Sequence, residues 1–235
     1  MIGIIGALDE ELTLLKGALT QCEAKREGPF EYLFGELEGT RVCVTRCGVG
    51  KVQAAMTTQA IISRCNPSAL IFTGVAGALN PSLEIGDLVV GSSALQHDLD
   101  ATGLGFVRGE IPYLNVRELA ASTELVNRAL DYAPRSGAKV VRGRILSGDQ
   151  FITHGAIASH RYLVDELGGD AIEMEGASFA LVCHLHQVPF LILRTISDKA
   201  NHQAHVDFQA FLPVASAQSL DCVRFILRGA PLRTP

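Results

Sequence analysis

The sequence Ile2-Gly3-Ile4-Ile5-Gly6-Ala7, followed almost at once by Asp9-Glu10-Glu11, decides the fold class of this chain. A short apolar run is typical of a buried strand, and carboxylates favour the first turn of a helix because helix N-termini are electropositive. Leucines at roughly helical spacing continue from the acids to Leu19. The stretch therefore predicts a buried strand that leads directly into a helix.

The same alternation continues along the chain without a linker or an internal repeat. Strands are predicted at residues 2–7, 32–38, 41–46, 69–73, 88–90, 140–146, 171–173 and 189–196, and helices at 9–19, 51–63, 117–132 and 176–186. The last helix is expected to become regular at Pro213, because proline fits a first turn better than a helix interior. Residues 97–115 lack periodicity, and irregular loops of this length are often functional. The pattern predicts one α/β domain over residues 1–230, with a largely buried central sheet sandwiched by helices, and a disordered tail at 231–235.

Charge and hydropathy exclude several classes of protein. The 235 residues carry a formal net charge of −5 and no run of Lys or Arg, which argues against a nucleic-acid partner. No segment approaches the ~20 consecutive apolar residues that span a bilayer, so no membrane partner is expected. The apolar N-terminus has no basic region before it and acids directly after it, unlike a signal peptide. We therefore expect a cytoplasmic protein.

The six cysteines are scattered through apolar stretches rather than grouped. Cys43 and Cys47 are close, but their spacing is not CxxC and no second pair completes a zinc site. Scattered cysteines of this kind are usually buried thiols of a protein from a reducing compartment. The sequence therefore predicts no metal site.

The motif Gly48-Val49-Gly50-Lys51 superficially resembles a phosphate-binding loop. A Walker loop needs a glycine where this chain has Thr45, and a Ser or Thr where it has Val52. We therefore reject a nucleotide-phosphate site here. The alternative that this turn brings the backbone close to a ligand stays open.

Three groups of acidic residues are candidates for chemistry. Asp9-Glu10-Glu11 has a structural alternative, since helix N-termini attract carboxylates for electrostatic reasons alone. Glu173-Met174-Glu175 follows a buried strand and precedes an apolar helix, so its two glutamates need polar partners or a ligand. Asp198 follows an apolar strand that also carries Arg194. These two residues form a salt bridge, or Asp198 is a functional carboxylate at a strand end.

Seven short motifs occur in order over nearly the whole chain. They are Ile2-Gly3-Ile4-Ile5-Gly6-Ala7 with Glu10-Glu11, Gly48-Val49-Gly50-Lys51-Val52, Thr73-Gly74-Val75-Ala76-Gly77, His97-Asp98-Leu99-Asp100, Ser147-Gly148-Asp149-Gln150-Phe151, Glu173-Met174-Glu175-Gly176-Ala177 and Arg194-Thr195-Ile196-Ser197-Asp198. Each is weak alone, but in this order and spacing the chain resembles the 5′-methylthioadenosine/S-adenosylhomocysteine nucleosidase family of the purine nucleoside phosphorylase superfamily. The resemblance implies a three-layer α/β/α sandwich with a mixed sheet, a homodimer, and no metal or organic cofactor. It also implies an N-ribosyl hydrolase that releases adenine from a small adenine nucleoside.

The resemblance assigns chemical roles to five residues. Glu11 would be the general base for the attacking water, and Asp198 the acid that assists departure of adenine through N7. Glu175 would bind the ribose hydroxyls, with Met174 against the sugar, and Arg194 would help to hold the water site. These residue types suit glycoside cleavage, which passes through an oxocarbenium-like state and needs both an acid and a base.

Other residues would shape the pocket according to the same resemblance. Phe151 would stack on adenine, the backbone of Ile152 would hydrogen-bond its edge, and Gly77 would let the backbone approach the substrate closely. The 5′ substituent would be surrounded by residues of both subunits, with Ala101 and Leu104 from the partner subunit: Leu8, Val49, Ala101, Leu104, Pro112, Phe151 and Phe208. Several family members have residues as large or larger at the first four positions. A roomier pocket mouth is expected here, unless neighbouring groups close in.

Two positions depart from the family pattern. Val75 stands where some members carry Ser, and Leu104 stands where an aromatic residue is common. Neither change removes a catalytic group, but both leave the preferred 5′ substituent open.

Three alternative functions compete with this hydrolase. A phosphorylase of the same superfamily would need cationic groups around phosphate, and the carboxylate of Glu11 would repel that phosphate. A nucleosidase that acts on aminodeoxyfutalosine, a menaquinone precursor, would use the same chemistry as the hydrolase. A nucleoside-binding protein without turnover would need no separate base and acid, so the three carboxylates argue against it.

Overall fold

The computed structural model describes residues 1–152, 160–199 and 204–229, apart from the side chains of residues 204–210. Strands and helices alternate through this part of the chain. The strands are β1 (Ile2–Gly6), β2 (Thr20–Glu27), β3 (Phe30–Leu37), β4 (Thr40–Arg46), β5 (Ala69–Ala78), β6 (Leu88–Gln96), β7 (Leu119–Ala120), β8 (Val140–Ser147), β9 (Ala171–Glu173) and β10 (Phe190–Asp198). The helices are α1 (Asp9–Gly17), α2 (Lys51–Cys65), α3 (Thr123–Leu130), α4 (Tyr162–Asp165), α5 (Gly176–Leu185) and α6 (Ala204–Leu227).

The strands form one mixed sheet that closes on itself at one side. β1 lies between β4 and β5 and is parallel to both, and β2 and β3 extend the β4 side in antiparallel fashion. On the other side β5 pairs with both β9 and β10, and the pairs β10–β6, β6–β8 and β8–β9 complete a ring of five strands. β5 therefore belongs both to the open sheet and to the ring, and it is buried along its whole length.

Helices cover both faces of the sheet. Residues such as Leu12 of α1, Leu125 of α3 and Val223 of α6 pack with one face of the strands. Residues such as Ile61 of α2 and Phe179 of α5 pack with the other face. The predicted α/β/α sandwich around a mixed, largely buried sheet is therefore confirmed, and the exposed edge strand β2 is its exception.

Several predicted element bounds are wrong. β2 was not predicted, because its residues are all exposed and carry no apolar alternation. The predicted helix at 117–132 begins later, since residues 119–120 form β7 and the Ser122 side chain accepts the Leu125 N–H at the start of α3. Pro213 lies inside α6 rather than at its start. Pro213 is exposed, and a proline inside a helix removes one backbone hydrogen bond.

The predictions for the irregular region and for the cysteines largely agree with the structure. Residues 97–115 contain a short 3-10 helix (Thr102–Leu104) and an isolated bridge between Ile111 and Val116. Four of the six cysteines are buried thiols as predicted, whereas Cys22 is exposed on β2 and Cys65 is partly exposed. Within the described ranges, no group of three or more His, Cys, Asp or Glu is placed to hold a metal ion. None of the described helices is both long enough and apolar enough to cross a membrane.

Candidate active site

A cavity of about 440 Å³ opens at the carboxyl ends of six strands, where ligands bind in sheets of this class. Its lining comes from segments at or just after the ends of β1, β4, β5, β8, β9 and β10. It brings together most of the predicted site residues: Leu8, Glu11, Val49, Gly77, Phe151, Ile152, Met174, Glu175 and Asp198. The other lining residues are Ala7, Val75, Ala76, Gln150, Ile172, Glu173 and Ser197.

Some predicted residues do not line the cavity of one chain. Arg194 is buried beneath it, and Leu104 is 73% exposed on the short 3-10 helix. Ala101 and Pro112 are half-buried in the same irregular region. That this region reaches the partner's site stays a prediction. Phe208 belongs to α6, but its side chain lies outside the described part of the chain.

Glu11 is buried, although it lies in the first turn of α1. Its Oε2 accepts hydrogen bonds from the N–H groups of Ala7 (2.8 Å) and Leu8 (2.9 Å), and its Oε1 accepts one from Val75 (3.2 Å). Burial raises the pKa of Glu11, while the Arg194 guanidinium and these three N–H groups act in the opposite direction. A carboxylate with a raised pKa is a stronger base. Attraction to a helix N-terminus alone does not explain why the Glu11 carboxylate is buried and bound by three N–H groups.

Gly74 provides the space in which Glu11 and Arg194 approach each other. A Cβ atom at this position would lie 2.6 Å from Glu11 Oε1 and 2.8 Å from Arg194 Nη1, well inside ordinary contact distance. Arg194 on β10 is the register partner of Gly74 on β5. The strand pairing therefore places the guanidinium under the cavity, and the missing side chain of Gly74 lets the carboxylate meet it.

The salt bridge of Arg194 is with Glu173 rather than with Asp198, so that alternative from the sequence is wrong. Arg194 Nη2 lies 2.5 Å from Glu173 Oε2, and the guanidinium carbon lies 4.4 Å from the ring centroid of Phe72. Glu173 also accepts hydrogen bonds from the Ser147 hydroxyl and from two backbone N–H groups at the N-terminus of α5. No role for Glu173 is evident from the sequence, where the only signal is the need of a buried glutamate for polar partners.

Glu175 is buried at the N-terminus of α5 and faces the same cavity. Its Oε1 accepts the Gly50 N–H at 2.7 Å. Burial and the negative charge of Glu173 raise the pKa of Glu175 to about 8, against the lowering effects of Arg194 and the Gly50 N–H. Burial lowers the pKa of Arg194, but the charges of Glu173, Glu11 and Glu175 outweigh it and raise that pKa. Three buried carboxylates thus act on one guanidinium.

Asp198 ends β10 and is 3% exposed. Its Oδ2 accepts a hydrogen bond from the Ser197 hydroxyl at 2.9 Å. The register of β10 on β5 shifts between Ile196 and Asp198, so that Asp198 lies opposite Gly77. A bulge of this kind re-aims a side chain that strict alternation would place on the same face as Arg194. The bulge explains why the two residues do not pair.

The same strand fixes the positions of Glu11 and Asp198. The Val75 N–H binds Glu11, and Gly77 is the register partner of Asp198. Both carboxylates therefore line one cavity beside the end of β5, and two-carboxylate glycoside hydrolysis requires such a pair.

Apolar side chains complete the walls of the cavity. Ile152 is buried and Met174 half-buried, whereas Val49 and Phe151 at the mouth are 52% and 45% exposed. Val75, which stands where some family members carry Ser, lines the cavity with a methyl-bearing side chain. The cavity therefore combines an acidic floor with an apolar rim, which suits a flat aromatic base joined to a sugar.

Comparison with known proteins gives a consistent result. A model of the phosphorylase superfamily matches residues 1–228. The structure is similar to a 5′-methylthioadenosine/S-adenosylhomocysteine nucleosidase from Neisseria meningitidis in complex with methylthio-immucillin-A, with 35% identity over 97% of this chain and 98% of that chain and a TM-score of 0.90. The same type of nucleosidase from Colwellia psychrerythraea, in complex with adenine, has 32% identity over 96% and 93% and a TM-score of 0.91.

A futalosine hydrolase from Helicobacter pylori is also similar, with 33% identity over 96% of each chain and a TM-score of 0.89. These matches extend over nearly all of the chain, including the motifs that form the cavity. The chain belongs to the phosphorylase superfamily and, within it, to the 5′-methylthioadenosine/S-adenosylhomocysteine nucleosidases.

Proposed function

We propose that the chain hydrolyses the N-glycosidic bond of 5′-methylthioadenosine and S-adenosylhomocysteine, and also of 5′-deoxyadenosine. The products are adenine and the 5-substituted ribose, and the metabolic role is methionine salvage. The observation that carries the proposal is the pair of buried carboxylates, Glu11 and Asp198, which line one cavity beside the same strand, β5. The solved relatives in complex with adenine and with a methylthio-substituted ligand support the same substrate class.

The two carboxylates divide the proton transfers. Glu11 accepts a proton from the attacking water, which its raised pKa favours. Arg194 lies beside Glu11, and its positive charge favours the ionised form of this buried carboxylate. Asp198 supports protonation of adenine at N7, because purine leaves poorly as an anion. The hydroxyl of Ser197 holds the Asp198 carboxylate in position.

Glu175 stabilises the sugar as positive charge develops on it. With its pKa raised to about 8, Glu175 is largely protonated in the empty protein at neutral pH. Ribose hydroxyls that donate to the carboxylate favour its ionised form, and an ionised carboxylate stabilises an oxocarbenium-like state. Met174 packs against the sugar, Phe151 stacks on adenine, and the backbone of Ile152 binds the edge of the base. Gly77 allows the close approach of the backbone.

The charge of the cavity favours hydrolysis over phosphorolysis. Its lining contains Glu11, Glu173, Glu175 and Asp198, and no Lys, Arg or His among the residues that the structure describes. Phosphate needs cationic or N–H donors, and it would be repelled by carboxylates at this short distance. Water therefore is the acceptor of the ribosyl group.

A second candidate substrate is a futalosine-type nucleoside, favoured by the similarity to the futalosine hydrolase. The same carboxylates would cleave it, so the choice depends on the 5′ pocket. Leu8 and Val49 line the cavity, and in this scheme they would contact the 5′ substituent together with Leu104, Pro112 and Phe208. Val49 lies exposed at the mouth, which leaves space for a larger group.

We further propose a cytoplasmic homodimer with a shared active site. Large apolar side chains are exposed on two segments: Val52 and Met56 on α2, at 75% and 43%, and Leu104 and Tyr113 in the irregular region, at 73% and 86%. Exposed apolar side chains in such numbers suit an interface between subunits. The six free thiols suit a reducing compartment.

The first experiment is a substrate comparison. The purified protein is incubated with methylthioadenosine, S-adenosylhomocysteine and aminodeoxyfutalosine, each with and without phosphate, and the sugar product is separated by chromatography. We expect free 5-substituted ribose in both conditions, and kcat/KM values for the larger substrates within about tenfold of methylthioadenosine or better. A sugar phosphate would overturn hydrolysis. A preference for methylthioadenosine by more than about a hundredfold would exclude an enlarged pocket.

A further inference from the structure

Three residues of the seven sequence motifs have no role in the chemistry above, yet they meet beside the cavity. They are Lys51 of the 48–51 segment, Asp98 after β6, and Asp149 after β8. Lys51 Nζ lies 2.6 Å from Asp98 Oδ1, the Lys51 N–H donates to Asp149 Oδ1 at 2.7 Å, and the Asp149 N–H donates to Asp98 Oδ2 at 3.0 Å. Each residue thus binds both of the others.

We propose that Lys51, Asp98 and Asp149 form a clamp of positioning residues that joins the 48–51 segment to the 147–152 segment and thereby holds the Gly50 N–H against Glu175. The proposal deepens the function proposed above and rests on it where activity is measured. The clamp residues touch neither sugar nor base in that scheme. They act through Gly50 on one side of the cavity and through the segment leading to Phe151 on the other.

The geometry at Gly50 links the clamp to the cavity directly. The N–H groups of Gly50 and Lys51 are consecutive, and they donate to Glu175 and Asp149, each at 2.7 Å. Gly50 has a φ of +97°, which side-chain-bearing residues rarely adopt, and a Cβ there would lie 3.1 Å from Asp149 Oδ1. Any displacement of the Lys51 N–H from Asp149 therefore also moves the Gly50 N–H relative to Glu175.

The charges of the clamp are partly withdrawn from solvent. The side chains of Lys51 and Asp98 are 17% and 30% exposed, and Lys51 Nζ also donates to Gln96 Oε1 at 3.2 Å. Burial tends to raise the pKa of Asp98, but the hydrogen bonds from Lys51 and from the Asp149 N–H outweigh it and lower that pKa. Asp98 therefore stays ionised through the pH range in which Glu175 titrates, and the clamp persists there.

Loss of the clamp has a defined electrostatic consequence. The Gly50 N–H lowers the pKa of Glu175, so a weaker bond shifts that pKa further upward. Ribose binding by ionised Glu175 then begins at a higher pH. A residue with a purely structural role would change stability without this shift. The pH profile of kcat/KM separates the two roles.

The experiment compares Lys51→Met, Asp98→Asn and the double variant with a matched control. Arg128→Met removes another partly buried ion pair of 2.6 Å, on α3, which has no link to the cavity. Hydrogen exchange is measured by mass spectrometry on the peptide that spans residues 48–53, and kcat/KM for methylthioadenosine is measured against pH. Asp149→Asn serves as a milder variant if Lys51→Met does not fold, because its side chain keeps an acceptor oxygen.

We expect Lys51→Met to speed exchange in the 48–53 peptide and to lower kcat/KM about tenfold, mainly through KM, since a hydrogen bond to a charged group is weakened. The acid limb of the profile should move to higher pH, and the double variant should be no worse than the more affected single variant. Unchanged exchange, additive losses, or equal effects in Arg128→Met would overturn the clamp. A wild-type protein without nucleosidase activity would instead refute the proposed function, and exchange alone would still decide the clamp.

Discussion

Replacing Gly74 by alanine tests whether the contact between Glu11 and Arg194 is needed for turnover. The added Cβ would lie 2.6 Å from Glu11 Oε1, where ordinary contact begins near 3.4 Å, so the carboxylate must move by about 0.8 Å. Arg194 Nη1 must move as well, because it would lie 2.8 Å from the same atom. A displacement near 1 Å of a reacting group lowers a rate by about 10²-fold. We therefore expect Gly74→Ala to lower kcat about a hundredfold while KM changes little.

The matched control is Gly91→Ala, in the same sheet but away from the cavity. Its Cβ would lie 3.0 Å from Ile145 and 3.1 Å from Ile192, so it crowds apolar side chains in place of the carboxylate. Both variants should lose about 1–3 kcal/mol of unfolding free energy, measured by urea denaturation. Gly74→Ala alone should lose turnover in a steady-state adenine-release assay. Turnover of Gly74→Ala within threefold of wild type, or an equal loss in Gly91→Ala, would refute the reasoning.

Three further predictions concern the carboxylates. Glu11→Gln should lower kcat about 10²- to 10⁴-fold, and a near-normal kcat would remove Glu11 from the mechanism. Because Glu11 is buried, the amide NH₂ of the glutamine will face a backbone N–H, so the unfolding free energy should also fall slightly. The pKa of Glu175 is raised from 4.5 to about 8, so burying it reduces stability progressively as the pH rises between these values. Glu175→Gln should therefore raise the unfolding free energy at pH 8 by about 1–3 kcal/mol and leave it unchanged at pH 4, and a gain that is equal at both pH values would contradict the shift. Asp198→Asn should slow cleavage about 10²-fold or more, since an amide cannot donate a full proton. The wild type should strongly prefer methylthioadenosine over methylthioinosine, because the 6-oxygen of methylthioinosine would face the Asp198 carboxylate. Equal rates on the two nucleosides would count against this role.

The strand–helix order could be predicted from the sequence because apolar runs and acidic helix starts are local signals. β1 and α1 follow directly from residues 2–19. β2 could not be predicted in this way, since an exposed edge strand needs no apolar alternation. Pro213 was expected at a helix start, but its place on the exposed side of α6 makes an interior position tolerable.

The site residues were identified mainly through family motifs, whereas their contacts depend on long-range pairing. Glu11 is held by Val75, 64 residues later in the chain, and nothing local to α1 indicates that contact. The pairing of Arg194 with Glu173 depends on the register of β10, and the direction of Asp198 depends on the bulge before it. Register and bulges result from the packing of whole strands, so single-residue patterns do not encode them.

The place of β5 in both the open sheet and the five-stranded ring separates the catalytic positions from the positions that select the substrate. β5, beside which Glu11 and Asp198 lie, is paired along its length and shielded from solvent, so it is insulated from changes at the rim. The rim is built from exposed positions such as Val49 and Phe151, where substitutions have small effects on folding. Under the proposed function, substitutions at the rim would therefore change the accepted 5′ substituent while the reacting groups stay in place. The similarity of this chain both to a methylthioadenosine/S-adenosylhomocysteine nucleosidase and to a futalosine hydrolase fits this division.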